Sequence, residues 1–171
     1  MRGTTMKTSI LQMVGRLRPK RIIVVSAAPQ IRYPDCYGID MSEMKRFVAF
    51  QALVELLEEH SKEYLLEEVY DRCKAQLILP NDQIQNEIKI LYDQFTEEEI
   101  SNKIATIVTP KGFKPEVKVI FQKIEAVHQA CPNNNGDWYF SGNYPTPGGN
   151  KIVNKAFINY MEKSDFRAYM F

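Results

Sequence analysis

Four consecutive residues near the start of the chain, Arg2-Gly3-Thr4-Thr5, have the chemistry of a phosphate anchor. They precede an amphipathic segment and would form its first helical turn, where free backbone N–H groups and a partial positive charge favour an anion. Gly3 would let a phosphate approach the backbone, and the threonine hydroxyls and Arg2 would add donors and charge. The competing interpretation is a capped helix end without a ligand, because a motif of four residues is not specific.

The elements that would position this turn are a helix and a strand. Residues 3–18 are predicted to be helical, because apolar residues recur at helical spacing: Met6, Ile10, Met13, Val14 and Leu17. Pro19 should end this helix. A strand should follow over residues 21–28, centred on four consecutive branched apolar residues, 22–25. Such a run is typical of a strand that is covered on both faces, as in a parallel sheet.

The predicted helix and buried strand make up half of a βαβ unit. One strand leaves its backbone donors and acceptors unpaired, so it needs neighbours. We therefore expect residues 1–41 to be the remnant of a larger α/β domain.

The remaining chain is predicted to be mainly helical over residues 42–131. Ser42 should cap a helix that runs to about His60. Thr96 and Glu99 have the spacing of a capping box at the start of a short helix. Further helices are predicted at 63–77, 81–95 and 115–130. Residues 132–171 should form an irregular, Pro/Gly/Asn-rich loop and a last helix at 150–163.

Charge and cysteine content narrow the function classes. Net charge is +1, but residues 1–34 carry seven Lys or Arg and no acid, whereas residues 41–100 carry fourteen acids and six bases. The acidic middle argues against nucleic-acid binding, and no run reaches the roughly 18 apolar residues of a membrane helix. Three separated cysteines do not suggest a disulfide framework. We expect a cytoplasmic protein, although the basic head also fits a mitochondrial presequence.

Two longer segments carry a family resemblance. Residues 25–41, Val-Ser-Ala-Ala-Pro-Gln-Ile-Arg-Tyr-Pro-Asp-Cys-Tyr-Gly-Ile-Asp-Met, resemble the segment that follows the phosphoribosyl pyrophosphate loop of amidophosphoribosyltransferases. Residues 140–146, Phe-Ser-Gly-Asn-Tyr-Pro-Thr, resemble that family's Phe-Thr-Gly-Lys-Tyr-Pro-Thr element. Met1-Arg2-Gly3-Thr4-Thr5 then matches the end of the family loop Asp-Asp-Ser-Ile-Val-Arg-Gly-Thr-Thr. The resemblance covers residues 1–49, is weaker over 97–109 and returns at 136–146, so residues 50–95 are interpreted as an insertion.

The resemblance implies a type I phosphoribosyltransferase core and a role in purine synthesis. The family transfers ammonia, released from glutamine, to C1 of phosphoribosyl pyrophosphate, and Mg²⁺ neutralises the leaving pyrophosphate. The resemblance also assigns Arg2, Gly3, Thr4 and Thr5 to binding of the substrate phosphate. The family's acidic pair and its glutaminase domain have no counterpart here. We therefore expect no catalytic residue, no bound metal and no turnover in the isolated chain, which would bind phosphoribosyl pyrophosphate or a purine nucleotide phosphate weakly.

Some family members hold an iron–sulfur cluster. The resemblance places one ligand position at Asp35 and two more in a Cys-Leu-Ala-Cys element, where this chain has Gly136-Asp137-Trp138-Tyr139. Other residues occupy these positions, so no cluster is expected.

Three other interpretations stay open. The chain could be a non-catalytic interaction module that forms a homo-oligomer or joins an upstream half of the enzyme. A helix-turn-helix nucleic-acid binder is disfavoured by the acidic middle. His128 and Cys131 lie three residues apart and could form a catalytic pair, but no third orienting residue is evident in the sequence.

Overall fold

The N-terminal helix α1 is shorter and less buried than its sequence predicts. The structure is a computed structural model and describes residues 3–36, 41–133 and 136–168. Helix α1 starts as a single α-helical turn, Gly3–Thr5, continues as a π-helical stretch, Met6–Ile10, and ends as the α-helical stretch Leu11–Gly15. Leu11 is buried, but Met13 and Leu17 are 62% and 82% exposed, so much of the predicted apolar stripe faces outward.

Among the described residues, two parallel strands form the sheet. Strand β1, Arg21–Ser26, pairs with β2, Glu116–Phe121, in a register that places Arg21 opposite Glu116 and Ser26 opposite Phe121. The prediction that β1 is covered on both faces is wrong: Ile22 and Val24 pack on the core, whereas Ile23 and Val25 are 53% and 71% exposed. Helix α5, Glu97–Val108, packs beside β2, and the opposite face of this sheet stays open among the described residues.

Strand β2 replaces the first part of a predicted helix. Residues 115–130 were expected to be one helix, but only Ile124–Ala130 (α6) is helical. The pattern Val117-Lys118-Val119 alternates with period two, and the pairing with β1 satisfies the backbone of this segment. The region 42–131 is therefore mixed rather than purely helical.

The central helices surround the core. A 3₁₀ turn, Met44–Arg46, precedes α2, Val48–Glu59, so Ser42 does not cap this helix. Helix α3, Tyr64–Leu77, confirms the helix predicted at 63–77. The helix predicted at 81–95 is wrong: only a 3₁₀ turn, Asn81–Gln83, and a short helix α4, Lys89–Tyr92, form there.

The capping box of α5 is confirmed. The Thr96 Oγ1 accepts a hydrogen bond from the Glu99 backbone N–H at 3.2 Å, and the Glu99 carboxylate accepts one from the Thr96 backbone N–H at 2.7 Å. Helix α7, Trp138–Ser141, is followed by α8, Pro147–Met161. This last helix starts three residues earlier than predicted, because the Thr146 side chain caps it and Pro147 suits its first position.

One hydrophobic core joins the three predicted segments. Helix α2 packs on α5, and α3 packs on α8. The core includes Leu11, residues of the predicted insertion such as Phe50 and Tyr92, and Phe157 of α8. Residues 50–95 thus contribute buried side chains to the shared core, whatever their origin. None of the described helices combines the length and apolar character needed to cross a lipid bilayer.

Candidate functional site

A cleft of about 470 Å³ lies beside the first turns of α1. Its walls come from α1, from the 3₁₀ turn before α2, and from α2 and α5. The lining residues are mostly polar or cationic: Gly3, Thr4, Lys7, Thr8, Lys45, Arg46, Gln51 and Ile107. The sequence-predicted phosphate anchor therefore borders a recess large enough for a phosphate ion.

The α1 wall is fixed by packing of Gly3. A Cβ placed on Gly3 would lie 3.1 Å from Val48 Cγ2 and 3.2 Å from Val108 Cγ1. Absence of a side chain therefore lets the first turn of α1 approach α2 and α5 closely. One turn later, the Thr8 hydroxyl donates a hydrogen bond to the Thr4 carbonyl oxygen at 2.9 Å. Gly3 has a packing role in addition to the phosphate role predicted for it.

The opposite wall carries Lys45 and Arg46 on the 3₁₀ turn. The Gln51 side-chain amide donates to the Lys45 carbonyl oxygen at 2.9 Å, which ties the turn to α2. The Lys45 Nζ lies 2.5 Å from Asp165 Oδ1, and the Arg46 Nε lies 2.6 Å from Glu43 Oε2. Both basic side chains are thus oriented by carboxylates that do not line the cleft.

The lining of the cleft is electrostatically one-sided. Lys7, Lys45 and Arg46 line it, and none of the lining residues that the structure describes is acidic. The hydrogen bond and charge of Lys45 lower the pKa of the Asp165 carboxyl, so that side chain is anionic at neutral pH. Cations that converge with hydroxyl donors are suited to an oxyanion such as phosphate.

The structure brings together part of the predicted anchor. Gly3 and Thr4 line the cleft, whereas Thr5 is exposed and is not part of the lining. Arg2 lies outside the described residues. Lys45 and Arg46 were not predicted as part of the site. Their signal was an adjacent basic pair at the start of an otherwise acidic region, which was interpreted only through its overall charge.

The two segments that carry the family resemblance meet in space. The backbone N–H groups of Arg32 and Tyr33 donate to the Tyr139 carbonyl oxygen at 2.9 and 3.1 Å. The Tyr144 hydroxyl donates to the Pro34 carbonyl oxygen. Burial raises the pKa of Tyr144, so this phenol stays protonated and keeps its donor. The Tyr-Gly-Ile-Asp turn at 37–40 lies outside the described residues.

Asp35 and Trp138 are in direct contact. The Trp138 indole N–H donates to Asp35 Oδ2 at 2.7 Å, and Asp35 is only 5% exposed. The indole also stacks on Tyr139, with ring centroids 5.8 Å apart, as expected for packing under a loop. The resemblance aligns Asp35, Gly136 and Tyr139 with cluster ligands, and here Asp35 instead accepts a hydrogen bond from Trp138, which lies between the other two positions. In residues 3–36, 41–133 and 136–168, no three His, Cys, Asp or Glu side chains group as metal ligands would.

His128 has a partner that sequence reasoning missed. Its Nε2 lies 3.0 Å from Asp137 Oδ2. Asp137 is nine residues further along the chain, in the loop before α7, so sequence spacing alone gave no signal for it. Cys131 lies at the end of α6 and is exposed.

Comparison with known proteins finds similarity over one stretch of the chain. The amidophosphoribosyltransferase of Pasteurella multocida (strain Pm70) is 45% identical over 49 residues, which is 29% of this chain and 10% of that protein. The Escherichia coli (strain K12) amidophosphoribosyltransferase is 42% identical over 48 residues, 28% of this chain and 9% of that protein. The Pseudomonas aeruginosa enzyme of the same name is 46% identical over 48 residues, which is 28% of this chain and 9% of that protein. This chain contains an amidophosphoribosyltransferase-related segment.

The amidophosphoribosyltransferase-related segment is a small part of the proteins it resembles. The chain spans about a tenth of the length of these curated relatives. No family model matches the chain, and no solved structure matches it. The relationship therefore rests on local sequence identity, and the mixed α/β architecture with two parallel strands is compatible with it.

Proposed function

We propose that this chain is a phosphate-binding portion of an amidophosphoribosyltransferase-like protein. Enzymes of this kind make 5-phosphoribosylamine from phosphoribosyl pyrophosphate and glutamine in de novo purine biosynthesis, and we place this chain in that context, in the cytoplasm. One observation carries the proposal: Gly3 and Thr4 of the related motif line a cleft whose other walls supply Lys7, Lys45 and Arg46. Helix α1 and strand β1 would then belong to a type I phosphoribosyltransferase core.

The proposed role of the cleft is anchoring rather than bond breaking. A phosphate held by Thr4, Arg2 and the basic side chains would fix one end of a sugar phosphate and orient its reacting carbon. Mg²⁺ would serve the pyrophosphate in a full-length family member, where an acidic pair precedes the anchor. We expect the isolated chain to bind sugar phosphates weakly and to form no phosphoribosylamine.

Calorimetric titration with ribose 5-phosphate tests the anchor. We expect saturable binding in the millimolar range, whereas ribose, which lacks the phosphate, should give no heat above dilution. Thr4→Val keeps the side-chain volume and removes the hydroxyl, so it should raise the Kd by several fold. Thr5→Val tests the remaining motif threonine, and an unchanged Kd would remove Thr5 from the anchor. Equal heats from ribose and ribose 5-phosphate would refute the proposal.

A turnover measurement tests the expected inactivity. Phosphoribosyl pyrophosphate, ammonia and Mg²⁺ are mixed with the chain, and phosphoribosylamine formation is followed through a coupled assay. We expect a rate equal to that of the reagents alone. A rate above this background that Thr4→Val lowers would contradict the expected inactivity.

The open face of the sheet supports a second candidate function, a non-catalytic interaction module. Ile23, Val25 and Ile120 expose 53%, 71% and 40% of their surface on β1 and β2. A two-stranded sheet also leaves backbone groups on its outer edges, which another chain can pair. This surface would support a homo-oligomer or contact with an upstream half of the enzyme.

Light scattering over a range of concentrations tests the interaction module. We expect the average mass to rise with concentration, and Val25→Lys should suppress the rise by placing a charge on the open face. Ile78→Lys is the matched control, because Ile78 is 86% exposed at the end of α3, away from the sheet. A monomer at every concentration, or equal effects of both variants, would count against this function.

A further inference from the structure

The segment that follows α8 holds a carboxylate against the cationic wall of the cleft. After Met161 the chain turns back, and the Ser164 backbone N–H donates to the Asn159 carbonyl oxygen at 2.8 Å. The Asn159 side-chain amide then donates to the Phe166 carbonyl oxygen at 2.7 Å. Asn159 itself is 94% buried, being 6% exposed. The two residues that flank Asp165 are therefore both attached to one buried residue, Ser164 to its backbone and Phe166 to its side chain.

This attachment places the Asp165 carboxylate at Lys45. Their 2.5 Å contact joins residues 120 positions apart in the sequence, so it is not a consequence of local helix spacing. Lys45 lies between the cleft and the C-terminal segment: it lines the cleft on one side and a smaller recess with Ser164, Asp165 and Phe166 on the other. The same ammonium group can thus contact an anion in the cleft or the Asp165 carboxylate.

We propose that Asp165 is a built-in competitor for phosphate at Lys45 and that the C-terminal segment lowers the affinity of the cleft. The proposal rests on the proposed function, because it takes phosphate as the anion that the cleft binds. An incoming phosphate draws Lys45 away from Asp165, and the lost ion pair is subtracted from the binding free energy. The same free energy is subtracted for any ligand whose phosphate takes Lys45, so a larger ligand with further contacts still binds more tightly than free phosphate.

The size of the effect is set by the exposure of the ion pair. The Asp165 side chain is 88% exposed and Lys45 is 44% exposed, so water screens their attraction. Removal of the carboxylate should therefore lower the Kd for phosphate by about two- to fivefold, in keeping with the modest strength of exposed ion pairs. The competition tunes the affinity and does not block the cleft.

The test is a phosphate titration of the full chain, followed by calorimetry at constant ionic strength, with chloride replaced by inorganic phosphate. Asp165→Asn keeps the shape of the side chain and removes its charge. Asp71→Asn is the matched control, because Asp71 is also exposed and pairs with Lys74 at 2.9 Å, on α3 and outside the lining of the cleft. Both variants change the net charge by the same amount, so a general electrostatic effect would alter both alike.

A second pair of variants separates competition from general charge effects. Lys45→Met should raise the Kd for phosphate by at least about threefold, while Lys74→Met should leave it unchanged. In the double variant of Lys45→Met and Asp165→Asn, the gain from Asp165→Asn should disappear, because the group that both anions share is gone. Thermal unfolding of each variant checks that the fold is retained.

The outcomes separate this inference from the proposed anchor. If Thr4→Val weakens binding and Asp165→Asn acts like Asp71→Asn or has no effect, the anchor stands and the competition is refuted. If Asp165→Asn strengthens binding and Thr4→Val has no effect, the competition stands and the anchor is refuted. An absence of phosphate binding in both the unaltered chain and Asp165→Asn refutes both.

Discussion

Replacement of Gly142 by alanine should destabilise the fold at the contact between the two related segments. Gly142 ends α7 with a φ of 73°, and a Cβ there would lie 2.7 Å from both Tyr33 Cζ and Asn86 Nδ2. Tyr33 is 2% exposed, so its ring has no free space to move into. The left-handed backbone costs about 1–2 kcal/mol for alanine, and overpacking costs about 1–3 kcal/mol. We expect Gly142→Ala to lower the free energy of unfolding by about 2–5 kcal/mol, as measured by urea denaturation.

Gly112→Ala separates the two contributions. Gly112 has the same φ of 73°, but a Cβ there would meet nothing within 4 Å. This variant should therefore lose only the backbone contribution, about 1–2 kcal/mol. The steric contribution is the difference between the two variants. Equal losses in Gly142→Ala and Gly112→Ala would refute close packing at Gly142, and with it the contact between the segments around Tyr33 and Gly142.

Three further predictions concern stability and accessibility. Thr96→Ala removes the cap of α5 and should lower the free energy of unfolding, measured by urea denaturation, by about 1 kcal/mol. The hydrogen bonds of the cap lower the pKa of Glu99, so the stabilisation that Glu99 contributes should be lost as the pH falls below the ordinary pKa of 4.5. Trp138→Phe leaves the buried Asp35 carboxylate without its indole donor and should cost about 1.5–3 kcal/mol, whereas an unchanged urea midpoint would contradict this contact. Ellman's reagent should label the two exposed cysteines in the native chain and reach Cys73 only on unfolding, because Cys73 is fully buried and burial raises the pKa of its thiol.

Local signals in the sequence predicted local structure. The spacing of Thr96 and Glu99 identified the start of α5, because both partners of a capping box lie within one turn. The helix over 63–77 was equally predictable from its own apolar face. Strand β2 was not predictable from its local sequence, because Pro115 fits the first turn of a helix as well as the approach to a strand. Its strand conformation depends on pairing with β1, and the register joins Val117 to Ile22 across most of the chain.

The same distinction between local signals and long-range packing applies to the candidate site. Gly3 and Thr4 were recognisable, because the motif is contiguous and its helical context is local. Lys45 and Arg46 join it only through the packing of α1 on α2 and α5, which sequence spacing does not encode. Charge summed over residues 41–100 concealed them, because fourteen acids outnumber six bases there. The ligand that a cleft binds depends on the side chains that line it, so the net charge of the surrounding region is a poor guide to that ligand.

The packing of Gly3 determines which variant can identify a phosphate contact. Gly3→Ala would press a methyl group against Val48 and Val108 at 3.1 and 3.2 Å, and the first turn of α1 would have to move. A loss of phosphate binding in that variant would follow from displaced backbone even if no phosphate ever touched Gly3. Thr4→Val does not require the backbone to move, because it exchanges a hydroxyl for a methyl group of similar volume on the cleft surface. A larger loss of phosphate affinity in Thr4→Val than in Thr5→Val, at equal stability, is therefore the result that separates an anchor from a close-packed helix end.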